Sequence, residues 1–172
     1  MRFMYINEND IQLKPLMDED VNLFIKWLNK KYIFKWLCPD GDEEKEAWLE
    51  EVNGRNNEYN YMKHFIEYYK DLKIGFCLYF DCYFQQEYIQ KHYGTNVGKN
   101  SVYEIGYFIG EEEYLGKGIG KIIVKKLEEK ILEIGGKEIF ADPGANNIVS
   151  QKTLLSNGFI KISDEDYRKK LR

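Results

Sequence analysis

The stretch Tyr107-Phe108-Ile109-Gly110-Glu111-Glu112-Glu113-Tyr114-Leu115-Gly116-Lys117-Gly118-Ile119-Gly120-Lys121 decides the fold. Upstream it continues an apolar run, Val102 to Gly110, that reads as a strand. Downstream, Ile119, Ile122, Ile123, Leu127 and Ile131 recur at helical spacing, which predicts a helix of about Gly118 to Ile134 ended by Gly135-Gly136. Gly116, Gly118 and Gly120 stand between the two at spacing two. Glycines let the main chain approach a ligand closely, and free N–H groups at a helix start face an anion. A diphosphate is the natural guest, with Lys117 and Lys121 at the rim; a tight turn using the glycines for geometry alone is the competing reading. A P-loop is excluded because Ile122, not Ser or Thr, follows Gly120-Lys121. A dinucleotide loop is excluded by glycine spacing and by the late position in the chain.

Working outward, Ile74, Phe76, Leu78, Phe80, Cys82 and Phe84 alternate with Lys73, Gly75, Cys77, Tyr79, Asp81 and Tyr83. That period of two predicts a strand, paired through the turn Lys70-Asp71 with a strand over Tyr61 to Tyr69. A first strand is expected over Ile11 to Leu16. A helix follows from about Asp18, which can cap it, with Val21, Phe24, Ile25 and Leu28 on one face. Cys38 to Asp42 reads as a turn before an acidic helix of about Glu43 to Val52. Gln85 to Asn100 is polar, contains two glycines, and reads as a long loop. After the glycine loop and its helix come a strand over Lys137 to Ala141, the turn Asp142-Pro143-Gly144, a helix over Asn146 to Ser156 and a strand over Gly158 to Ile162. This order implies an α/β (α+β) chain: one domain over residues 1–172, with a mixed, mostly antiparallel central sheet and helices on both faces.

Composition narrows the function. The 172 residues are 44% apolar and 31% charged, without repeats or low-complexity tracts, as in an ordinary globular protein. No apolar run is long enough to cross a membrane, and the opening MRFMYINEND lacks the apolar core of a leader. Three cysteines without a Cys-x-x-Cys pair make a reducing cytoplasm the expected location. Two histidines leave few ligands for zinc, so no metal is expected. A net charge of −4 speaks against a nucleic-acid partner and suits a cationic substrate.

The run Leu115-Gly116-Lys117-Gly118-Ile119-Gly120 after a strand resembles motif A of the GNAT superfamily of N-acetyltransferases. Asn147, followed by Gly158-Phe159, resembles motif B, and Leu13-Lys14-Pro15-Leu16 with Asp20 and Trp27-Leu28 is similar to the N-terminus of many members. The three lie in the right order over about residues 11 to 160. The resemblance implies the GNAT fold and acetyl-CoA as co-substrate. The glycine loop (Leu115 to Lys121) would then hold the diphosphate and Asn147 the pantetheine arm, and main-chain N–H groups near Phe108 and Ile109 would polarise the thioester. Within the superfamily the pattern is most similar to the aminoglycoside 6′-N-acetyltransferases, through Trp27-Leu28, the aromatic loop Phe34-Lys35-Trp36 and Asp142-Pro143. It departs where those enzymes place a base and an acid: Gly106 and Leu154 stand there.

Acetyl transfer to an amine needs a base, because alkylammonium groups are mostly protonated at neutral pH. Glu104 shares a strand face with Gly106 and is the candidate; a solvent-facing carboxylate or ion-pair partner is the bland alternative. Asp142 ends a strand where open α/β sheets bind ligands, as a second catalytic or substrate-binding acid or as a turn residue. Asn147 can also cap its own helix. Trp36, Tyr83 and Glu87, with the neighbouring tyrosines 79, 88, 93 and 103 and Asp81, are candidates for an acceptor pocket, or else an aromatic core and a polar loop. Cys77 and Cys82 lack an activating neighbour and read as buried filler, as does His64. The expected reaction is direct acetyl transfer to a small-molecule amine, possibly an aminoglycoside, by a monomer or homodimer. The alternatives are acetylation of a protein N-terminus or siderophore precursor, and a catalytically silent acyl-CoA-binding module. The final hairpin is expected to be short or partly supplied by a neighbouring subunit.

Overall fold

The computed structural model describes residues 5–171; residues 1–4, on which the reading of the leader partly rests, lie outside them. Its strands are β1 (Ile11–Pro15), β2 (Met62–Tyr69), β3 (Leu72–Asp81), β4 (Val102–Ile109), β5 (Glu138–Ala141), β6 (Ile160–Lys161) and β7 (Tyr167–Lys170). They form one sheet in the order β1-β2-β3-β4-β5-β7-β6. Only β4 and β5 run parallel; every other neighbouring pair is antiparallel. The expected mixed, mostly antiparallel sheet is therefore present.

Helices α1 (Val21–Leu28), α2 (Lys31–Leu37), α3 (Asp42–Asn53) and α4 (Gln86–Tyr93) cover one face, and α5 (Ile119–Glu133) and α6 (Ile148–Ser156) the other. Strand alternation sorts the residues between these two cores. On β4, Tyr103 and Ile105 belong to the same core as Ile119, Ile123 and Leu127 of α5, whereas Val102 and Phe108 belong to the core of the other face, where Phe108 meets the rings of Phe24 and Trp27 of α1. The end of β4 is clamped from the α1–α2 side. Tyr32 donates to the Ile109 carbonyl at 2.6 Å, Lys30 to the Gly110 carbonyl at 2.7 Å, and the Trp27 indole N–H to Glu111 at 2.9 Å. A side chain at Gly110 would collide with the Trp27 ring, so glycine is required where the chain turns into the loop.

Four expectations change. Gln85 to Asn100 is not a continuous loop: it contains α4, whose Tyr88, Ile89, His92 and Tyr93 recur at helical spacing and face inward, and Gly94 ends it at φ +66°. Phe34-Lys35-Trp36 lies inside α2 and not in a loop. The alternation of β3 stops at Asp81, whose carboxylate accepts from the Tyr83 N–H and so starts a 3₁₀ turn over Cys82–Gln85. The closing hairpin is short, as one of the two expectations had it: β7, of four residues, inserts between β5 and the two-residue β6. Asp18 does not cap α1 by a side-chain bond; its carboxylate meets Arg55 at 2.5 Å.

Candidate active site

Pairing between β4 and β5 ends at Ile105 opposite Ala141. The cause is local: Pro143 has no N–H to extend a ladder, and Asp142 accepts from the Gly144 N–H at 3.2 Å, folding the chain into a turn. Residues 106–109 of β4 therefore leave β5 behind, and the sheet splays. A cleft of about 520 Å³ occupies the opening. Its lining comes from both faces of the sheet: Trp36, Trp48, Tyr88 and Glu104 on one side, and Tyr107, Asn147 and Ser150 on the other. The cleft runs through the sheet.

On the α5 side, the glycine loop is as open as its sequence implies. Gly116 and Gly118 have φ +70° and +78°, and an added Cβ at either would meet nothing within 4 Å. No side chain caps α5 and no acid occupies its first turn. Its leading N–H groups are left for an anion, with Lys117 and Lys121 exposed beside them. The side chain of Asn147 accepts from the Ser150 N–H at 3.3 Å, so Asn147 caps α6 while also lining the cleft. Ser150 Oγ lies 2.7 Å from the Tyr107 hydroxyl, a pair that sequence reasoning missed. Burial pushes the Tyr107 hydroxyl up to about 12, with the Ser150 hydrogen bond working against that rise. At Leu154, fully buried on α6, there is no polar group.

On the other side, Glu104 is buried at 7% exposure. Burial chiefly, then the Asp142 charge, raises its carboxyl from 4.5 to about 8, against hydrogen bonds from Tyr88 and Tyr93. Burial and the Asp166 charge also raise Asp142. The Tyr88 hydroxyl lies 3.2 Å from Glu104 Oε1 and 3.2 Å from Asp142 Oδ2, and the Tyr93 hydroxyl 3.2 Å from Glu104 Oε1. A hydroxyl has one hydrogen, so it donates to one carboxylate at a time and accepts only from the protonated form of the other. Glu104 and Asp142 are thus linked as a pair. His92 Nδ1 lies 3.8 Å from Asp142 and 3.2 Å from the buried Asp166. His92, Asp142 and Glu165 offer ligand atoms within 4.8 Å of one another.

The structure brings Trp36, Glu104, Phe108, Asp142 and Asn147 to the cleft. It does not bring Tyr83 and Glu87, both of which are exposed, Tyr83 in the 3₁₀ turn after Asp81 and Glu87 in the first turn of α4. Tyr79 and Tyr103 join the core on the α5 face. Asp81 is buried as a turn cap, bonded to the N–H groups of Tyr83 and Asn100. Cys38, Cys77 and Cys82 are all free and buried, and burial raises each thiol. Sequence reasoning missed Glu44 and Glu51 of α3, which line the cleft, and Asp166; Glu51 is raised by burial to about 7. The helical spacing of Tyr88 and His92 beside acids was the available signal for α4.

Among solved structures, the aminoglycoside acetyltransferase AAC(6')-Ib in complex with ribostamycin and coenzyme A superposes with a TM-score of 0.72, at 19% identity over 94% of each chain. An aminoglycoside N(6′)-acetyltransferase from Legionella pneumophila gives 0.67, at 18% identity over 94% of this chain and 91% of that one. The Campylobacter jejuni N-acetyltransferase PseH gives 0.59, at 18% identity over 95% and 99%. At these identities the likeness establishes the fold. The family model described as an acetyltransferase (GNAT) domain matches residues 10–160. With that match over most of its length, the chain belongs to the GNAT acetyltransferase family.

Proposed function

We propose that the chain is a single-domain N-acetyltransferase that moves an acetyl group from acetyl-CoA to a primary amine of a small polycation, with aminoglycoside-like sugars first among acceptors. The observation that supports the acceptor class is the charge of the cleft. Glu44, Glu51, Glu104, Asp142 and Glu165 line it with Trp36 and Trp48, and no Lys, Arg or His is among the lining residues. Carboxylates spread along an aromatic-walled cleft match several ammonium groups on one ring system.

Acetyl-CoA fits the opposite side. The glycine loop and uncapped start of α5 would hold its diphosphate, and Asn147 and the unpaired stretch of β4 would flank the pantetheine arm. When bound, it supplies an activated acyl carbon at the splay. Glu104 takes a proton from the acceptor ammonium, Asp142 helps draw the cation in, and main-chain N–H groups near Phe108 and Ile109 stabilise negative charge on the acyl oxygen. The Tyr107–Ser150 hydroxyl pair stands on the coenzyme side, placed to protonate the departing sulfur.

A free-thiol assay with acetyl-CoA and a panel of amines tests this reading. Thiol release is expected with aminoglycosides and other polyamines and should fall steeply for monoamines. No release with any polycation, alongside release with an N-terminal peptide amine, would overturn the substrate class. No release with any amine would overturn the activity.

A further inference from the structure

The reaction proposed above leaves a proton to dispose of. An alkylammonium and a thioester become an amide, a free thiol and one proton. The N–C bond forms and the C–S bond breaks; of the two protons lost by nitrogen, one ends on sulfur and one must leave the protein. Glu104, which receives that second proton, is buried at 7% exposure, and the side of it that faces the cleft is where the acceptor would sit.

We infer that His92 is a proton-relay residue, which empties Glu104 through Tyr88 and Asp142 after each turnover. The inference rests on Glu104 serving as the base. The chain of contacts is Glu104 Oε1, 3.2 Å to the Tyr88 hydroxyl, 3.2 Å on to Asp142 Oδ2, and 3.8 Å to His92 Nδ1. Tyr88 can accept from protonated Glu104 while donating its own hydrogen to Asp142, so the proton advances one carboxylate without tyrosinate forming. Tyr93 stays bonded to Glu104 at 3.2 Å and holds that carboxylate in place as it titrates.

The 3.8 Å step is longer than a hydrogen bond, so it needs a small ring rotation or one bridging water. The side chains of His92 on α4 and of Asp142 are 18% and 22% exposed, against 6% for Asp166 behind them, so the relay reaches solvent at its His92–Asp142 end. Imidazole is the side chain best suited to exchange protons at physiological pH. The groups facing it are Asp142 before α6, Asp166 and Glu165 before β7, and Tyr88 and Tyr93 on its own helix. Asp166 fixes the ring through a 3.2 Å contact and is itself held by Ser163 at 3.0 Å.

The test is the full chain carrying His92→Ala, assayed for thiol release in weakly buffered solution containing a chelator. Turnover should fall about tenfold, less than the roughly 10²–10⁴ of a group that transfers the proton in the transition state, with KM for acetyl-CoA unchanged. Added imidazole should restore most of it in a concentration-dependent way, which a merely structural loss would not allow. Tyr88→Phe should lower turnover as well but stay insensitive to imidazole, because its break lies in the interior; matching melting temperatures check that both variants fold. Full turnover in His92→Ala, or a loss that imidazole leaves untouched, overturns the relay. Collapse of the unaltered protein's turnover in chelator also overturns it and hands His92, Asp142 and Glu165 to a divalent cation. In each of these outcomes except the last the parent remains active, whereas failure of the acetyltransferase reading shows as an inactive parent without chelator.

Discussion

Glu104→Gln separates catalysis from stability in one substitution. The Glu104 carboxyl is held near 8 by burial and by Asp142. A carboxyl raised in the folded state contributes stability that is fully present below its unfolded value, near 4.5, and lost as pH climbs through about 8. By pH 7 the unfolded chain has ionised this group and the folded chain has not, which costs the fold on the order of 3 kcal/mol at about 1.4 kcal/mol per pH unit. Glutamine carries no such cost, and its amide oxygen still accepts from Tyr88 and Tyr93. At about 2–4 °C per kcal/mol for a chain of this size, the variant should melt roughly 6–12 °C above the parent at pH 7. At pH 4 the two should melt together. In the same variant kcat/KM should drop by about 10²–10⁴, the usual worth of a general base. The parent's kcat/KM should rise about tenfold per pH unit below 8 and level off above it. Thermal melts at pH 4, 7 and 9 and thiol-release kinetics across that range read both effects. A variant that melts with or below its parent at pH 7 and 9 refutes the buried-charge argument, and one that keeps an inflection near 8 refutes the base.

Two further substitutions probe the parts that position the site. Gly118→Val forces a branched side chain into φ +78°, a strain of about 1–2 kcal/mol, and sets it against the open start of α5. Calorimetry should find acetyl-CoA affinity reduced more than tenfold while amine binding is retained; unchanged coenzyme affinity would remove the loop from the binding site. Gly75→Ala on β3 drives a methyl into the Glu67 carboxylate and the Phe108 carbonyl, and overpacking of this kind costs about 1–3 kcal/mol. Glu67 is fully buried, with neither oxygen hydrogen-bonded among the described residues. Trimming it as well (Glu67→Ala with Gly75→Ala) should recover part of the melting temperature lost by the single variant.

The sequence was most readable where periodicity is pure. The apolar spacing from Ile119 to Ile131 produces α5 with nearly the expected bounds, because it buries one apolar stripe, whereas β3, buried on both faces from Ile74, ends at Asp81, short of the expected Phe84. The parity of Glu104 with Gly106 was enough to put that carboxylate on the acceptor side, and the position of Asp142 after a strand was enough to put it at the splay. What the pattern hid was α4. Its inward side chains are Tyr88, His92 and Tyr93, polar aromatics whose hydroxyl and imidazole groups are satisfied by acids from β4, the turn after β5 and the segment before β7. Its helical period rests on few residues, Ile89 and the rings of Tyr88 and Tyr93, in an otherwise polar segment, and the pairing of His92 with Asp166, 74 positions away, leaves no local trace. Tyr83 is exposed for the converse reason, since a side-chain cap ends the alternation at Asp81, and Glu87 because it stands in the first turn of α4 and not in a loop.

The same turn that stops β5 creates the site. Pro143 withholds a ladder donor, Asp142 closes the turn onto Gly144, and β4 is left unpaired beyond Ile105. Were β5 to continue alongside β4, the seam would close and residues of the two faces could not line one cleft. Because it stops, a ligand held at the α5 face and another held among the acids of α3 and α4 can meet within the thickness of one sheet. Strand parity sets Tyr107 on the α5 face and Glu104 on the face covered by α1 to α4, three residues apart on β4. In the proposed reaction, two groups that handle protons for opposite partners would thereby be close enough to act on one reaction, yet on faces where neither neutralises the other.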